Sequence, residues 1–300
     1  MKPANPPRRH HFAPVFYLRR WAGADCRLEQ FSRPGGAEVK VRRLPPTATG
    51  YADDLYAMPG LEPHLVQQVE QKFMQQVDDQ AADVLAMLEA GGPIKWTSAT
   101  RSAWSRFLQS TRLRTPADIL GIKAATERDW GQTVPEIQAQ YDAIRKPDDP
   151  ATLEEFFVKR EPRIVENVAM LIATKLIDNP KIGEHINGMQ WDVLRLESNL
   201  DLFTSDRSLE QVKGLGDPGA LIALPIGPRR LFVAANKRET LEFIRGMAPR
   251  EIVRVRNGYT VRGAAEFVWA RNRSDVKFIR ENMSAATIKS AGERLGGPSS

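Results

Sequence analysis

From Leu61 to Leu88, apolar side chains return at Leu61, Leu65, Val69, Phe73, Val77, Val84 and Leu88, close to one in every four residues. A step of this size lays side chains along one stripe of a helix, whereas alternation lays them on one face of a strand. The helical period dominates from residue 61 to about 180, and alternating runs flank it on both sides. Before it, C-R-L-E-Q-F at Cys26–Phe31 and the run Val39–Leu44 enclose a Pro34-Gly35-Gly36 turn, which predicts a hairpin. After it, Gln190–Leu196 and Asn199–Thr204 alternate, and Leu221–Ile226 with Arg230–Ala234 flank Gly227-Pro228 as a second hairpin. Strands at the ends and helices between them predict an α+β fold rather than a βαβ alternation. The economical arrangement is one antiparallel sheet joining the N-terminal hairpin to the C-terminal strands, with residues 61–180 as a large helical insertion.

Punctuation within the helical part supports this division. Gly91-Gly92-Pro93 stops the first helix, and Thr97–Arg112 forms a second. Thr115-Pro116-Ala117-Asp118 combines a cap, a first-turn proline and an acid, which restarts a third helix running to about Arg145 with breaks near Gly131 and Pro135. Lys146-Pro147-Asp148-Asp149-Pro150 reads as a linker, followed by helices at Thr152–Val158 and Arg163–Ile177. Further helices are expected at Pro14–Ala22, Glu239–Met247 and Thr260–Ala270. Residues 1–9 read as a disordered lead-in, residues 10–285 as a single module and residues 286–300 as a frayed tail.

Charge follows the same partition. Residues 1–50 hold 10 Lys/Arg against 3 Asp/Glu, residues 51–228 hold 18 against 27, and residues 229–300 hold 15 against 7. Basic ends favour nucleic acid or another polyanion as partner, unless they fold against the acidic middle and cancel it. The single cysteine, Cys26, excludes an internal disulfide and a cysteine-based zinc cluster. No apolar run is long enough for a membrane span, and Met1–Arg9 is polar and proline-rich, so the expected setting is the cytoplasm.

The segment His10-His11-Phe12-Ala13-Pro14-Val15-Phe16-Tyr17-Leu18-Arg19-Arg20-Trp21 resembles the opening of DUF4238, a mostly bacterial family of unknown function whose members begin with an HHxxPxFYL-type motif. Asp54-Leu55-Tyr56 with Val69-Glu70, Phe107-Leu108 with Arg114-Thr115-Pro116, and Trp191-Asp192-Val193 are also similar. Phe203-Thr204-Ser205-Asp206 and Leu224-Pro225-Ile226-Gly227-Pro228 extend the likeness to about residues 9 to 275. The resemblance implies a single module and no mechanism.

Candidate chemistry comes from few residues. His10 and His11 are half of the four histidines, and imidazole ligates metals or moves protons near neutral pH. On an extended chain the two point to opposite sides, so only one faces a given site. Asp206, after Ser205 at a strand end, suits a metal ligand or a histidine partner, and equally a turn or cap. Glu70 lies beside the first helix's apolar stripe, where a buried carboxylate needs a partner; Arg114 offers a contact to an acid or phosphate. Tyr56 and Ser205 complete the set as substrate contacts. His10, His11, Asp206 and Glu70 together fit a hydrolytic, metal-dependent, nuclease-like enzyme acting on a polyanion, with a divalent metal held by His10, His11 and Asp206. The alternative is a non-catalytic binding or regulatory protein that uses the helical insertion as its partner surface. No GxxxxGK[ST] loop, strand-borne GxGxxG, GxSxG elbow or HExxH pair is present, which leaves those enzyme classes unsupported.

Overall fold

The computed structural model describes residues 8–36, 38–91 and 94–284. Most of the expected lead-in, the expected tail over 286–300, and Gly92 and Pro93 of the first helix stop lie outside the described residues. Strand β1 (Arg9–His11) leads into a short helix α1 (Val15–Leu18), which tightens to a 3-10 turn at Arg19–Trp21. Strands β2 (Leu28–Ser32) and β3 (Lys40–Leu44) form the expected hairpin, in register from Leu28↔Leu44 to Ser32↔Lys40. Strand β4 (Tyr51–Asp53) then returns to pair with β1.

Helices follow. A π-wound stretch at Val69–Met74 opens α2 (Gln75–Ala90), so the helix starts later than the apolar stripe predicts; Pro63 interrupts the stripe's first turns. Next come α3 (Ser98–Thr111), α4 (Pro116–Glu136), α5 (Gln138–Ile144), α6 (Leu153–Arg160), α7 (Ile164–Ile177) and α8 (Pro180–Gly188). Thr97 and Thr152 close capping boxes, and the Thr115 hydroxyl accepts from the Asp118 amide, each satisfying an orphan N–H of a first turn. Helix α8 was not anticipated after Pro180. Its own signals are a cap at Asn179, which accepts from Ile182 N–H, and Pro180 in the first turn.

The C-terminal part contains β5 (Gln190–Arg195), β6 (Thr204–Ser205), β7 (Glu210–Val212), β8 (Leu221–Gly227) and β9 (Arg230–Ala235). It ends with α9 (Arg238–Gly246), α10 (Pro249–Gly263), β10 (Phe267–Ala270) and α11 (Val276–Asn282). The helix expected over Thr260–Ala270 is thus two elements. Helix α10 stops at Gly263, and Phe267-Val268-Trp269-Ala270, a β-branched and aromatic run, becomes a strand.

The fold is α+β, with antiparallel sheets built from N- and C-terminal strands around a helical middle. The sheet is not single. The N-terminal hairpin joins C-terminal strands in the order β3-β2-β10-β6, while β5-β9-β8-β7 forms a second sheet and β1-β4 a ribbon. Both faces of the second sheet are buried, which explains its near-continuous apolar sequence. Ile222, Leu224, Phe232 and Ala234 meet Val84, Leu88, Trp104 and Phe107 of α2 and α3 in the main core. Leu194, Leu231 and Val233 meet Leu241, Ile252 and Val253 of α9 and α10 on the other side. Trp21, Trp104 and Trp269 are fully enclosed, and each such side chain contributes about 1.5–3 kcal/mol of burial free energy. No helix among the described residues is long and apolar enough to cross a membrane.

Candidate functional site

The β1-β4 ribbon sets the two histidines. Pairing of His10 with Ala52 and His11 with Tyr51 makes them alternate across the ribbon. His10 is fully buried; its Nδ1 accepts the Tyr56 backbone N–H at 2.9 Å, and its ring stacks on the Tyr56 ring at 5.5 Å and 7°. Tyr56 in turn donates its hydroxyl to the Arg114 carbonyl at 2.7 Å, and burial raises its ionisation well above the usual tyrosine range. His11 lies edge-on to Tyr51, and its carbonyl accepts from Arg114 Nη2 at 3.0 Å. Burial, with Arg114, Arg9 and His10 adding to it against the Thr47 backbone, pushes the His11 imidazole down, so it is neutral at pH 7.

Arg114 is the hub of this cluster. It is 1% exposed and forks onto Asp78 through Nη1 to Oδ1 at 2.7 Å and Nη2 to Oδ2 at 3.0 Å. A bidentate pair of this kind fixes geometry as well as charge. Burial works against the guanidinium's charge, but Asp78 and Tyr56 outweigh it and hold Arg114 firmly protonated. Its terminal nitrogens are therefore committed within the protein, which makes Arg114 an organiser of the cluster more than the substrate contact expected.

Glu70 faces this hub. Burial raises its carboxyl to about 7, Arg114 pulls it back and Asp78 pushes it further up. Its Oε2 is buried with no hydrogen-bond partner among the described residues. The π-wound turn explains why Glu70 and Asp78 share the same guanidinium. In a regular α-helix eight residues rotate about 800°, leaving the two about 80° apart. One extra residue in a wide turn makes the rotation close to that of seven residues, about 700°, which returns them to one face. The Gln75 N–H bonds the Glu70 carbonyl, an i→i+5 link that marks the bulge. Single π turns within α-helices occur frequently at functional sites.

Asp206 and Ser205 belong to a different network. Asp206 Oδ1 accepts from Ala265 N–H at 2.8 Å, and Oδ2 accepts from Glu266 and Phe267 N–H at 2.7 and 3.1 Å. Burial raises this carboxyl to about 6, against the pull of the three amides. Asp206 thus ties the turn before β10 to β6. The Ser205 hydroxyl accepts from Arg207 N–H at 3.2 Å and meets Ser208 Oγ at 3.3 Å, which makes it part of the same turn. With His10 Nδ1 and both Asp206 oxygens committed to backbone amides, the metal set expected of His10, His11 and Asp206 does not assemble. Among the described residues no group of three His, Cys, Asp or Glu is placed to hold a metal ion.

A scan against family models matches residues 9–274 to the family described as "Protein of unknown function (DUF4238)". The chain belongs to DUF4238. No curated protein and no solved structure matches it. The opening motif by which DUF4238 is suggested in the sequence now has a physical role. Its histidines bind the motif to the helical middle through Tyr56 and Arg114. Its aromatic half binds the C-terminal strands: Tyr17 donates to the Pro225 carbonyl at 2.6 Å and shares a 2.8 Å bond with Thr204 Oγ1, while Trp21 donates to the Leu202 carbonyl at 2.7 Å.

Of the residues nominated from the sequence, the structure places His10, His11, Tyr56, Glu70 and Arg114 around one hub and Asp206 and Ser205 elsewhere, while Asp78, the partner of Arg114, is not among those nominated. The signal was present: Asp78 follows Val77 on the apolar stripe as Glu70 follows Val69, an acid where a helix turns inward. Nor is Asp118 among them; it is fully buried and bonds Arg207 Nη2 at 2.7 Å one turn beyond Arg114. In the sequence Asp118 stands only as the acid of the Thr115 cap.

Proposed function

We propose that this chain is a hydrolytic enzyme, nuclease-like in acting on a polyanion, in which Glu70 carries the proton. The observation behind this reading is the state of Glu70: a mostly buried carboxyl at about 7, one oxygen unpartnered among the described residues, on a π-wound turn beside a fixed guanidinium. Acid–base catalysis is most efficient when the group's pKa lies near the working pH, and a buried carboxyl tuned to neutrality meets that condition. As carboxylate, Glu70 takes a proton from the attacking water; as carboxylic acid, it returns one to the leaving oxygen. Arg114, anchored on Asp78, steadies the charge as Glu70 changes state, and the neutral His11 imidazole supplies a second group able to exchange a proton. The basic ends of the chain support an anionic substrate.

The test is hydrolysis of labelled single-stranded RNA, single-stranded DNA and polyphosphate by the purified protein. Glu70→Gln is expected to lower the rate about 10²–10⁴-fold while leaving the circular dichroism unchanged. Equal rates for both proteins, or no hydrolysis of any of the three by the wild type, overturns this reading.

The second reading, a non-catalytic partner surface on the helical middle, is favoured by one observation. Leu120, Ile144, Val158, Leu171 and Ile172, all on α4 to α7, are exposed large apolar side chains. Such residues become significant when they gather into a patch. A wild-type protein inert on every polyanion would shift the weight to this surface.

A further inference from the structure

The second sheet ends in β5, whose outer edge pairs with no strand among the described residues. In an antiparallel pair only every second residue bonds its neighbour. Leu196 N–H bonds the Arg229 carbonyl at 3.0 Å, so Leu194, Asp192 and Gln190, which are in the same phase, bond β9. Trp191, Val193 and Arg195 therefore turn their N–H and C=O groups outward. The Val193 N–H donates to Asp192 Oδ1 at 2.8 Å, a bond made on this open side. The N–H groups of Trp191 and Arg195, and the carbonyls of all three, have no partner among the described residues.

This edge is the floor of a cleft of about 570 Å³. Residues 191–196 all line it, which side chains on a single face of a sheet could not do, because neighbours alternate. Leu88, Ile94 and Trp96 form the wall on the side of α2, and Met247, Pro249 and Ile252 the wall on the side of α9 and α10. The first wall is already fixed: Trp96 stands edge-on to Trp191 at 5.0 Å, and the Arg101 guanidinium lies 4.0 Å from the Trp191 ring centroid. Asp192, the one acid in the lining, pairs with Arg245 at 2.6 Å. Arg195, exposed at the end of β5, forms no hydrogen bond or ion pair among the described residues. Its guanidinium rests against Gly91, where a Cβ would overlap it. That places it at the C-terminal end of α2, whose partial negative charge orients it without neutralising it.

We propose that this cleft receives an extended, apolar peptide segment of a partner protein, which adds to β5 as a further antiparallel strand and begins with an acidic side chain held by Arg195. Outward N–H and C=O groups at strand spacing are satisfied by another strand, and the side chains of that strand alternate between the two apolar walls. Every pairing already in the sheet is antiparallel, and in that direction the segment's first residue stands beside Arg195. A second copy of this chain does not fit, because its β5 carries walls of its own. Those walls would meet these before the two edges came within the roughly 4.8 Å of a strand pair. The cleft shares no residue with the Glu70 hub, so the proposal is independent of the hydrolytic reading.

Calorimetric titration with the blocked peptide acetyl-Glu-Val-Ile-Val-Thr-amide tests it, beside the same peptide with Gln in place of Glu. Two further versions carry N-methyl groups on one or the other alternate set of amides, and 4-phenylbutyrate serves as a small apolar carboxylate. The Glu peptide should bind saturably and at least about tenfold more tightly than the Gln peptide, as gain of a charge-assisted contact does. Arg195→Gln should abolish that difference with unchanged circular dichroism. One methylated peptide should lose at least about tenfold in affinity and the other should bind as the parent does, because only alternate amides face β5. Glu70→Gln should bind as the wild type does, which separates the two proposals. No saturable binding of the Glu peptide, equal affinities for the Glu and Gln peptides, or methylated peptides that bind alike overturns the proposal. Tighter binding of 4-phenylbutyrate than of the peptide also overturns it, and assigns the cleft to a small carboxylate. A dimer in sedimentation velocity that the peptide splits overturns it in favour of a second copy.

Discussion

At the scale of single residues, two raised carboxyls lie in contrasting surroundings. Asp206 has its oxygens filled by three amide N–H groups, so its geometry is built for a fixed acceptor and leaves no room for proton exchange. Glu70 has an oxygen without a partner among the described residues and a neighbouring charge that favours ionisation. The difference has a measurable consequence for stability. Glu70 holds its proton up to about 7 in the folded chain against 4.5 in its ordinary state. Between those values the folded form binds more protons than the unfolded form, so this group's contribution to stability declines as pH rises through the window. Below it the group contributes nothing, and above it the full penalty applies, on the order of 3 kcal/mol at most. Glu70→Gln removes the penalty. Thermal unfolding from pH 4 to pH 9 should show the variant close to the wild type at pH 4 and several degrees more stable at pH 8.5. A difference in Tm that does not vary with pH would mean that Glu70 is not tuned by its surroundings.

At the scale of elements, the π-wound turn is what turns two separate acids into a pair. Inserting one alanine after Gln76, between the wide turn and Asp78, adds about 100° of rotation and should turn Glu70 about 80° away from Asp78. The expected result is a folded, helical protein in which the Glu70 carboxyl titrates near its ordinary value and hydrolysis is lost. Carbon-13 resonances of the glutamate carboxyls report the first effect directly; an insertion variant whose Glu70 still titrates near 7 would show that the phase of the helix does not set the site. This element also marks the limit of what periodicity reveals. Val69, Val77, Val84 and Leu88 announced a helix, but a bulge changes phase by one residue without altering composition, so Asp78 stayed hidden. Cap signals at Thr97, Thr115 and Thr152 were legible because each is a local bond between neighbours in sequence. The strand Phe267–Ala270 was misread as helix because it gains its ladder from β2 and β6, which are distant in sequence. His10 and Arg114 could be nominated by residue type, yet their meeting depends on the β1-β4 ribbon, whose partners lie about forty residues apart.

At the scale of the molecule, the uneven charge is partly folded inwards. Arg8 pairs with Asp54, Arg20 with Glu89, Arg245 with Asp192, and Arg229 and Arg271 both with Asp201, each joining a basic end to the acidic middle. Exposed pairs of this kind contribute little to stability, so the ends are held mainly by apolar contact. The apolar face of α2 and α3 is covered by strands β8 and β9 and by the opening motif, in one cluster that includes Leu18, Trp21, Val84, Leu85, Trp104, Phe107, Leu224 and Phe232. Helical propensity alone does not fix such side chains, because packing of an amphipathic face supplies most of a helix's stability in a protein. A fragment covering residues 61–189 loses the partners of α2 and α3 in the main core, while the apolar contacts of α4 with α7 stay within it. It should give a helical far-ultraviolet circular dichroism spectrum, bind the dye ANS and melt without a sharp transition, while the whole chain melts cooperatively. A fragment with a sharp transition and no dye binding would instead make the helical middle a unit that folds by itself. In that case the strands would serve as a separate platform, and the meeting of the opening motif with Arg114 would be a docking event between folded parts.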